Sequence, residues 1–189
     1  MPGIAAVGRP AFAECFPLLQ DAYAVAAAVH SGGLGNGHTS LEHPVAVAQL
    51  LHDAGYPEHV VAAALLHDTV EDGGPAVVHL RARFGSRVAR LVDQLTEDPN
   101  IASFARRKET LRGTAAADGH EAAAIFAADK LTSARALLRV GADAPPEKLE
   151  HYERRLSVLH DCHPEVPFLT ELSAALLELQ PGGRQAPRP

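Results

Sequence analysis

Six consecutive residues, His67-Asp68-Thr69-Val70-Glu71-Asp72, include one imidazole and three carboxylates, side chains that bind cations and move protons. They follow directly on Val60-Val61-Ala62-Ala63-Ala64-Leu65-Leu66, a run that is apolar on every face of a helix and therefore belongs in a core. Burying a carboxylate without a partner costs several kcal/mol, so a chain that carries three of them to the end of a core helix needs either solvent or a compensating charge there. If the helix continues through the cluster, His67 and Glu71 share one face and Asp68 and Asp72 another, each pair one turn apart. A solvated helix end, acidic beyond its last buried turn, is the plain alternative.

Two further positions bear on that choice. Asp129 stands in a second apolar run, Ala122-Ala123-Ala124-Ile125-Phe126-Ala127-Ala128-Asp129-Lys130-Leu131. An ion pair with Lys130 or Arg135 would account for it, but Lys130 is adjacent and is expected to point elsewhere on the helix. A cation shared with the first cluster accounts for the burial more completely. His43 precedes Pro44 at a helix start, where a histidine also serves as a cap or a surface residue. One His from each of two helix ends with two carboxylates makes a mixed N/O donor set with open positions. That set suits Mn²⁺, Mg²⁺, Fe²⁺ or Zn²⁺ in metal-assisted hydrolysis, whereas a closed structural zinc site would call for thiolates.

The elements that must hold these residues are helices. Apolar residues at helical spacing run from about Ala11 to His30 and stop at the Gly-rich stretch Ser31-Gly32-Gly33-Leu34-Gly35-Asn36-Gly37, which reads as a mobile loop. A second helix begins at His43-Pro44 and ends at Gly55; a third opens at Pro57-Glu58. Further helices are predicted over 76–84, 86–96, 101–117, 121–139, 146–159 and 168–179, punctuated mostly by Gly, Pro or Asn. No strand alternation persists and no repeat of fixed period occurs. The expected fold is an all-α bundle, with 1–10 an N-terminal segment, 11–179 one domain and 180–189 a disordered tail.

Composition agrees with that outline. The chain has 189 residues, 47% hydrophobic and 21% charged, which argues against disorder; aromatics are only 5% and Trp is absent, so the core is Ala, Val and Leu. A net charge of -6 argues against a general nucleic-acid or anionic-membrane binder. Cys15 and Cys162 cannot form a disulfide framework, and no stretch approaches the roughly 20 apolar residues of a membrane span. The early apolar run, broken by Pro10, Glu14 and Pro17, makes a poor signal peptide, and a cytoplasmic protein is expected.

Taken together, His43-Pro44, the run from Ala62 to Asp72, Phe84-Gly85 with Val92 and Leu95-Thr96, and Ala128-Asp129-Lys130-Leu131 resemble the HD-domain phosphohydrolases. The similarity is to the Rel/SpoT-type (p)ppGpp hydrolase branch with its stand-alone small alarmone hydrolases, and covers roughly residues 20 to 155. The central run is specific; a bare His-Asp dipeptide is not, and His52-Asp53 and His160-Asp161 read as surface or helix-end residues. The resemblance implies His43, His67, Asp68 and Asp129 as ligands of one divalent ion, usually Mn²⁺. It further implies that Glu71 and Asp72 position and deprotonate the attacking water, and that the reaction removes the 3′-diphosphate of guanosine tetra- or pentaphosphate.

The departures fall in substrate recognition. The family's loop ahead of His-Pro carries Arg and Lys; here it is Gly32-Gly33-Leu34-Gly35-Asn36-Gly37-His38, and Ser40 stands at the family's Tyr. The family's Asn four residues after the last ligand is Ser133. Arg106, Arg107, Lys108 and Lys148, the last with Tyr152 as a basic-aromatic pair, are the candidate phosphate binders, or else solvated helix faces. A small-molecule nucleotide substrate is therefore expected. The same chemistry on another phosphate ester, such as NADPH or an ordinary nucleotide, is the nearest rival. A non-catalytic nucleotide sensor is a second, although it would have no need for Glu71 and Asp72. A metal-dependent oxygenase would want more ligands, for which His30 and His38 are the nearby candidates.

Overall fold

The computed structural model describes residues 9–31, 40–96, 119–141 and 145–180. The protein is all-α, with seven α-helices and no strand among the described residues. The chain divides into two compact units, Met1–Thr96 and Glu97–Pro189. The predicted loop at 32–37, the predicted helix at 101–117 and the tail beyond Gln180 lie outside the described residues.

In the first unit a 3₁₀ turn, Ala11–Ala13, leads into α1 (Pro17–Ser31), followed by α2 (Glu42–Asp53), α3 (Glu58–Leu66) and α4 (Val77–Leu95). The single helix expected over 11–30 is thus two pieces. Pro17 has no N–H and clashes with a preceding turn, so a helix can begin at it but cannot run through it. The central element is α3, which packs against α1, α2 and α4. Every residue from Val60 to Leu66 is essentially inaccessible. Each such Val or Leu contributes about 1.5–3 kcal/mol on burial, so α3 is the best-anchored element of its unit. It opens at Pro57, whose extended backbone (φ -61°, ψ 154°) breaks from the preceding turn, and it stops at Leu66.

The break predicted between 84 and 86 appears as a kink within α4, where Gly85 takes φ 86° and ψ 170°. An L-residue with a side chain adopts that φ rarely, so the glycine permits the bend that turns Phe84, Val88, Leu91, Val92 and Leu95 inward. Arg83 ties α4 to α1 through a two-pronged bond to Asp21, both N···O distances being 3.0 Å. The Arg83 guanidinium holds the Asp21 carboxyl below the usual carboxylate range, chiefly by that hydrogen bond.

The second unit holds α5 (His120–Val140), α6 (Pro146–Cys162) and α7 (Leu169–Leu179). Ala122–Ala128 are all buried, and their small side chains let neighbouring backbone approach closely. α5 packs on α7 and α6, and α6 on α7. Gly141 ends α5 in the left-handed region (φ 66°), its N–H returning to the carbonyls of Leu137 and Leu138. Glu165, between α6 and α7, takes contacts from the Nδ1 of His120 at 3.0 Å and of His163 at 3.5 Å. Among the described residues no helix is long and apolar enough to cross a membrane.

Candidate metal centre and active site

The polar cluster begins where α3 ends. His67 keeps helical backbone angles (φ -57°, ψ -37°), but residues 67–73 form successive turns rather than further helix, which corrects the expectation of one continuous helical face. The cause is local competition for the last carbonyls. The Thr69 hydroxyl donates to Leu66 O at 2.7 Å and the Thr69 N–H reaches the same oxygen at 3.0 Å, tightening the chain there. Asp72 N still donates to Asp68 O at 3.0 Å, so these two carboxylates remain one helical turn apart. Gly74 N then donates to Thr69 O at 2.7 Å and closes the segment.

His67 is the pivot. The residue is 5% exposed, and Nδ1 lies 2.8 Å from Ala64 O. A carbonyl only accepts, so Nδ1 carries a proton, and in the neutral form of the ring the lone pair sits on Nε2. Nε2 lies 3.1 Å from Asp68 Oδ1. Lone pair and carboxylate oxygen repel at that distance unless a positive charge lies between them, either a second ring proton or a metal ion. The His43 ring stands beside it, centroids 5.6 Å apart and planes inclined at 50°, with ring nitrogens of the two residues within 4.8 Å. His43 is placed by the first turn of α2, where its N–H donates to Ser40 O at 3.0 Å and the next residue, Pro44, is buried. Two imidazoles and a carboxylate form the mixed N/O set that a divalent cation takes, and metal-ligating imidazoles ordinarily anchor their other N–H as His67 does. The residues therefore fit the ion.

Glu71 is exposed and Asp72 half-buried on the same turn. His30, near the end of α1, faces Asp72: Nδ1 lies 3.4 Å from Oδ2, and the imidazole is 2% exposed. Burial pushes the His30 pKa down, against the opposing pull of the Asp72 and Asp68 carboxylates.

Asp129 lies on α5 of the second unit, its side chain 14% exposed. Contrary to the expectation from adjacency, Lys130 does pair with it, Nζ to Oδ2 at 2.5 Å. Four flexible bonds let the ammonium fold back along the helix, where it also lies 5.1 Å from the Phe126 ring centroid and 5.7 Å from that of Tyr152. Burial works to lower the Lys130 pKa, but the Asp129 charge, Tyr152 and the hydrogen bond outweigh it and the net shift is upward. Arg135 pairs instead with Glu171. Ser133 Oγ lies 3.4 Å from Asp129 Oδ1, so the serine at the family's Asn position faces the carboxylate.

Lys148 is exposed, its Nζ 5.8 Å from the buried Tyr152 ring, so the expected basic-aromatic pair does meet. Arg106, Arg107 and Lys108 lie outside the described residues. Sequence reading missed Arg155, which is 2% exposed with its guanidinium 4.3 Å from the Phe126 centroid. Its only signal was a position on the buried stripe of α6 between Tyr152 and Leu159.

An all-α chain whose first unit presents two imidazoles and a carboxylate at the end of its central helix offers a candidate His–Asp cation site. The chain belongs to the HD domain family, whose model matches residues 22–158, running from the first unit into the second. It is 37% identical over 135 residues to a probable GTP pyrophosphokinase of Mycobacterium leprae, covering 69% of this chain and 17% of that one. It is also 37% identical over 105 residues to the guanosine-3′,5′-bis(diphosphate) 3′-pyrophosphohydrolase of Mus musculus, covering 54% and 58% of the two chains. The matched part thus spans less than two thirds of each of these relatives. Among solved structures it is similar to a metazoan ortholog of SpoT that hydrolyzes ppGpp, with a TM-score of 0.70, 25% identity, and coverage of 87% of this chain and 97% of that one.

Proposed function

We propose that this protein is a divalent-metal-dependent hydrolase that removes the 3′-diphosphate of guanosine tetra- or pentaphosphate, giving pyrophosphate and GDP or GTP. The observation that carries the reading is the His67 Nε2 set 3.1 Å from the Asp68 carboxylate with the His43 ring alongside. The pyrophosphohydrolase relatives and the ppGpp-hydrolyzing structural neighbour supply the substrate class.

In this reading His43, His67, Asp68 and Asp129 hold the ion, with Mn²⁺ the expected species. Support for Asp129 is its near-burial at the end of an alanine run that matches the family pattern. A divalent ion bound there acidifies water and neutralises charge on the phosphoryl group. Glu71 and Asp72 accept the proton of the attacking water. The water oxygen bonds to the inner phosphorus, the bond from that phosphorus to O3′ breaks, and O3′ takes a proton back from a carboxyl. Ser133, Lys148, Arg106, Arg107 and Lys108 are assigned to the nucleotide and its phosphates. Lys130 places its ammonium against the Asp129 carboxylate.

One feature favours a second reading, the same chemistry on another small phosphate ester: Ser40, where the family has a Tyr, is exposed and offers no ring to a base. The test is a release assay for phosphate and pyrophosphate, with Mn²⁺, across ppGpp, pppGpp, NADPH and ordinary nucleotides. Pyrophosphate from the 3′-diphosphates alone supports the first reading; orthophosphate from NADPH at a greater rate selects the second.

A further inference from the structure

We propose that His30 is a positioning residue, whose Nδ1–H fixes the orientation of the Asp72 carboxylate. The inference rests on Asp72 being a proton acceptor, the role proposed above. His30 and Asp72 are far apart in sequence, one near the end of α1 and the other in the turns after α3, yet Nδ1 and Oδ2 lie 3.4 Å apart. Tightening by about 0.5 Å brings them to ordinary hydrogen-bond length, and such contacts commonly shorten when substrate binds.

The rest of the surroundings leave the ring little else to do. The imidazole is 2% exposed, and its Nε2 is buried with no hydrogen-bond partner among the described residues. A carboxylate can only accept, so the proton belongs on Nδ1, and burial lowers the ring's pKa from its ordinary value, which favours the neutral form. Nε2 then buries a bare lone pair, which costs less than an unsatisfied N–H and a charge together. The backbone supports the same contact. A Cβ on Gly74 would stand 2.7 Å from Val29 Cγ2 and 2.6 Å from Thr69 O, so the turn carrying Asp72 lies directly against the neighbour of His30. With the two segments this close, the His30 contact bears directly on the rotamer of Asp72.

The first test reads the contact itself, without turnover. In the full-length protein, ¹⁵N imidazole shifts should report His30 as the neutral Nδ1–H tautomer, the minor form of free histidine, and Asp72→Ala should abolish that preference. An Nε2–H tautomer, or no response to Asp72→Ala, overturns the proposal whether or not ppGpp is a substrate. The second test is kinetic. His30→Leu should lower kcat about ten- to hundredfold, the rate equivalent of one hydrogen bond to a charged group, with KM and bound manganese unchanged. His30→Asn, whose amide nitrogen sits near the place of Nδ1, should recover most of the loss, and His30→Gln should not. Equal loss in Asn and Leu, or loss of metal in either, makes the role one of packing. If the unaltered protein does not hydrolyse ppGpp, the functional reading fails and the tautomer still decides the contact.

Discussion

Gly74→Ala should destabilise the first unit although Gly74 is not at a left-handed backbone position. An added Cβ would sit 2.6 Å from Thr69 O and 2.7 Å from Val29 Cγ2, both nearer than carbon atoms tolerate. The methyl of Val29 can swing aside, but Thr69 O cannot, because it accepts the Gly74 N–H at 2.7 Å and retreat weakens that bond. Overpacking of this kind costs about 1–3 kcal/mol, and a weakened buried hydrogen bond adds about 1 kcal/mol. At roughly 2–4 °C per kcal/mol for a chain of this length, Tm should fall by about 4–16 °C. Thermal unfolding followed by circular dichroism measures it. Val29→Ala in the same chain relieves only the side-chain clash, so the double variant should recover part of the loss beyond the cost of Val29→Ala itself, never all of it. An unchanged Tm in Gly74→Ala would show that the turn is not held against α1 as described.

Asp129→Ala should remove bound metal and turnover together while helical content largely survives, as metal analysis and circular dichroism of one preparation will show; unchanged metal content contradicts its role as a ligand. Glu71→Gln and Asp72→Asn should keep the metal and lose about 10²–10⁴-fold in kcat, the ordinary contribution of a general base. Discrimination in kcat/KM between ppGpp and its adenosine counterpart should stay under about a hundredfold, or 2.7 kcal/mol, since Ser40 is exposed and Ser133 is turned to Asp129. Burial lowers the His30 pKa from its ordinary 6.5, so the folded chain binds fewer protons there than the unfolded one. That contribution to stability is therefore present above about pH 6.5, is lost progressively as pH falls towards the folded pKa, and should vanish from urea-unfolding curves of His30→Asn.

The parts legible in the sequence were those written in contiguous residues. Val60–Leu66 read as a core helix because no face of it is polar, and every one of those residues is buried. Gly85 read as a break and is one, because its φ of 86° suits glycine alone. His43, His67 and Asp68 were named from type and setting, and the structure brings them to one helix end. What depended on the third dimension was not legible. The helix stops at Leu66 because Thr69 competes for its last carbonyl, a preference too local and too weak to outvote the apolar pattern. Lys130 reaches Asp129 by bending its own stem, which residue spacing does not encode. The meeting of His30 with Asp72 requires the packing of α1 on α3, and the burial of Arg155 follows from the packing of its helix face.

Cleavage of a 3′-diphosphate at a metal centre at the end of α3 is the proposed activity. It is tested most directly by incubating the manganese-loaded protein with ppGpp and separating the products by anion exchange. GDP and pyrophosphate are expected in equal amounts, formed only with a divalent ion present and nearly abolished in Asp72→Asn at unchanged metal content. Orthophosphate as the released product, or an equal rate after chelation, would contradict it.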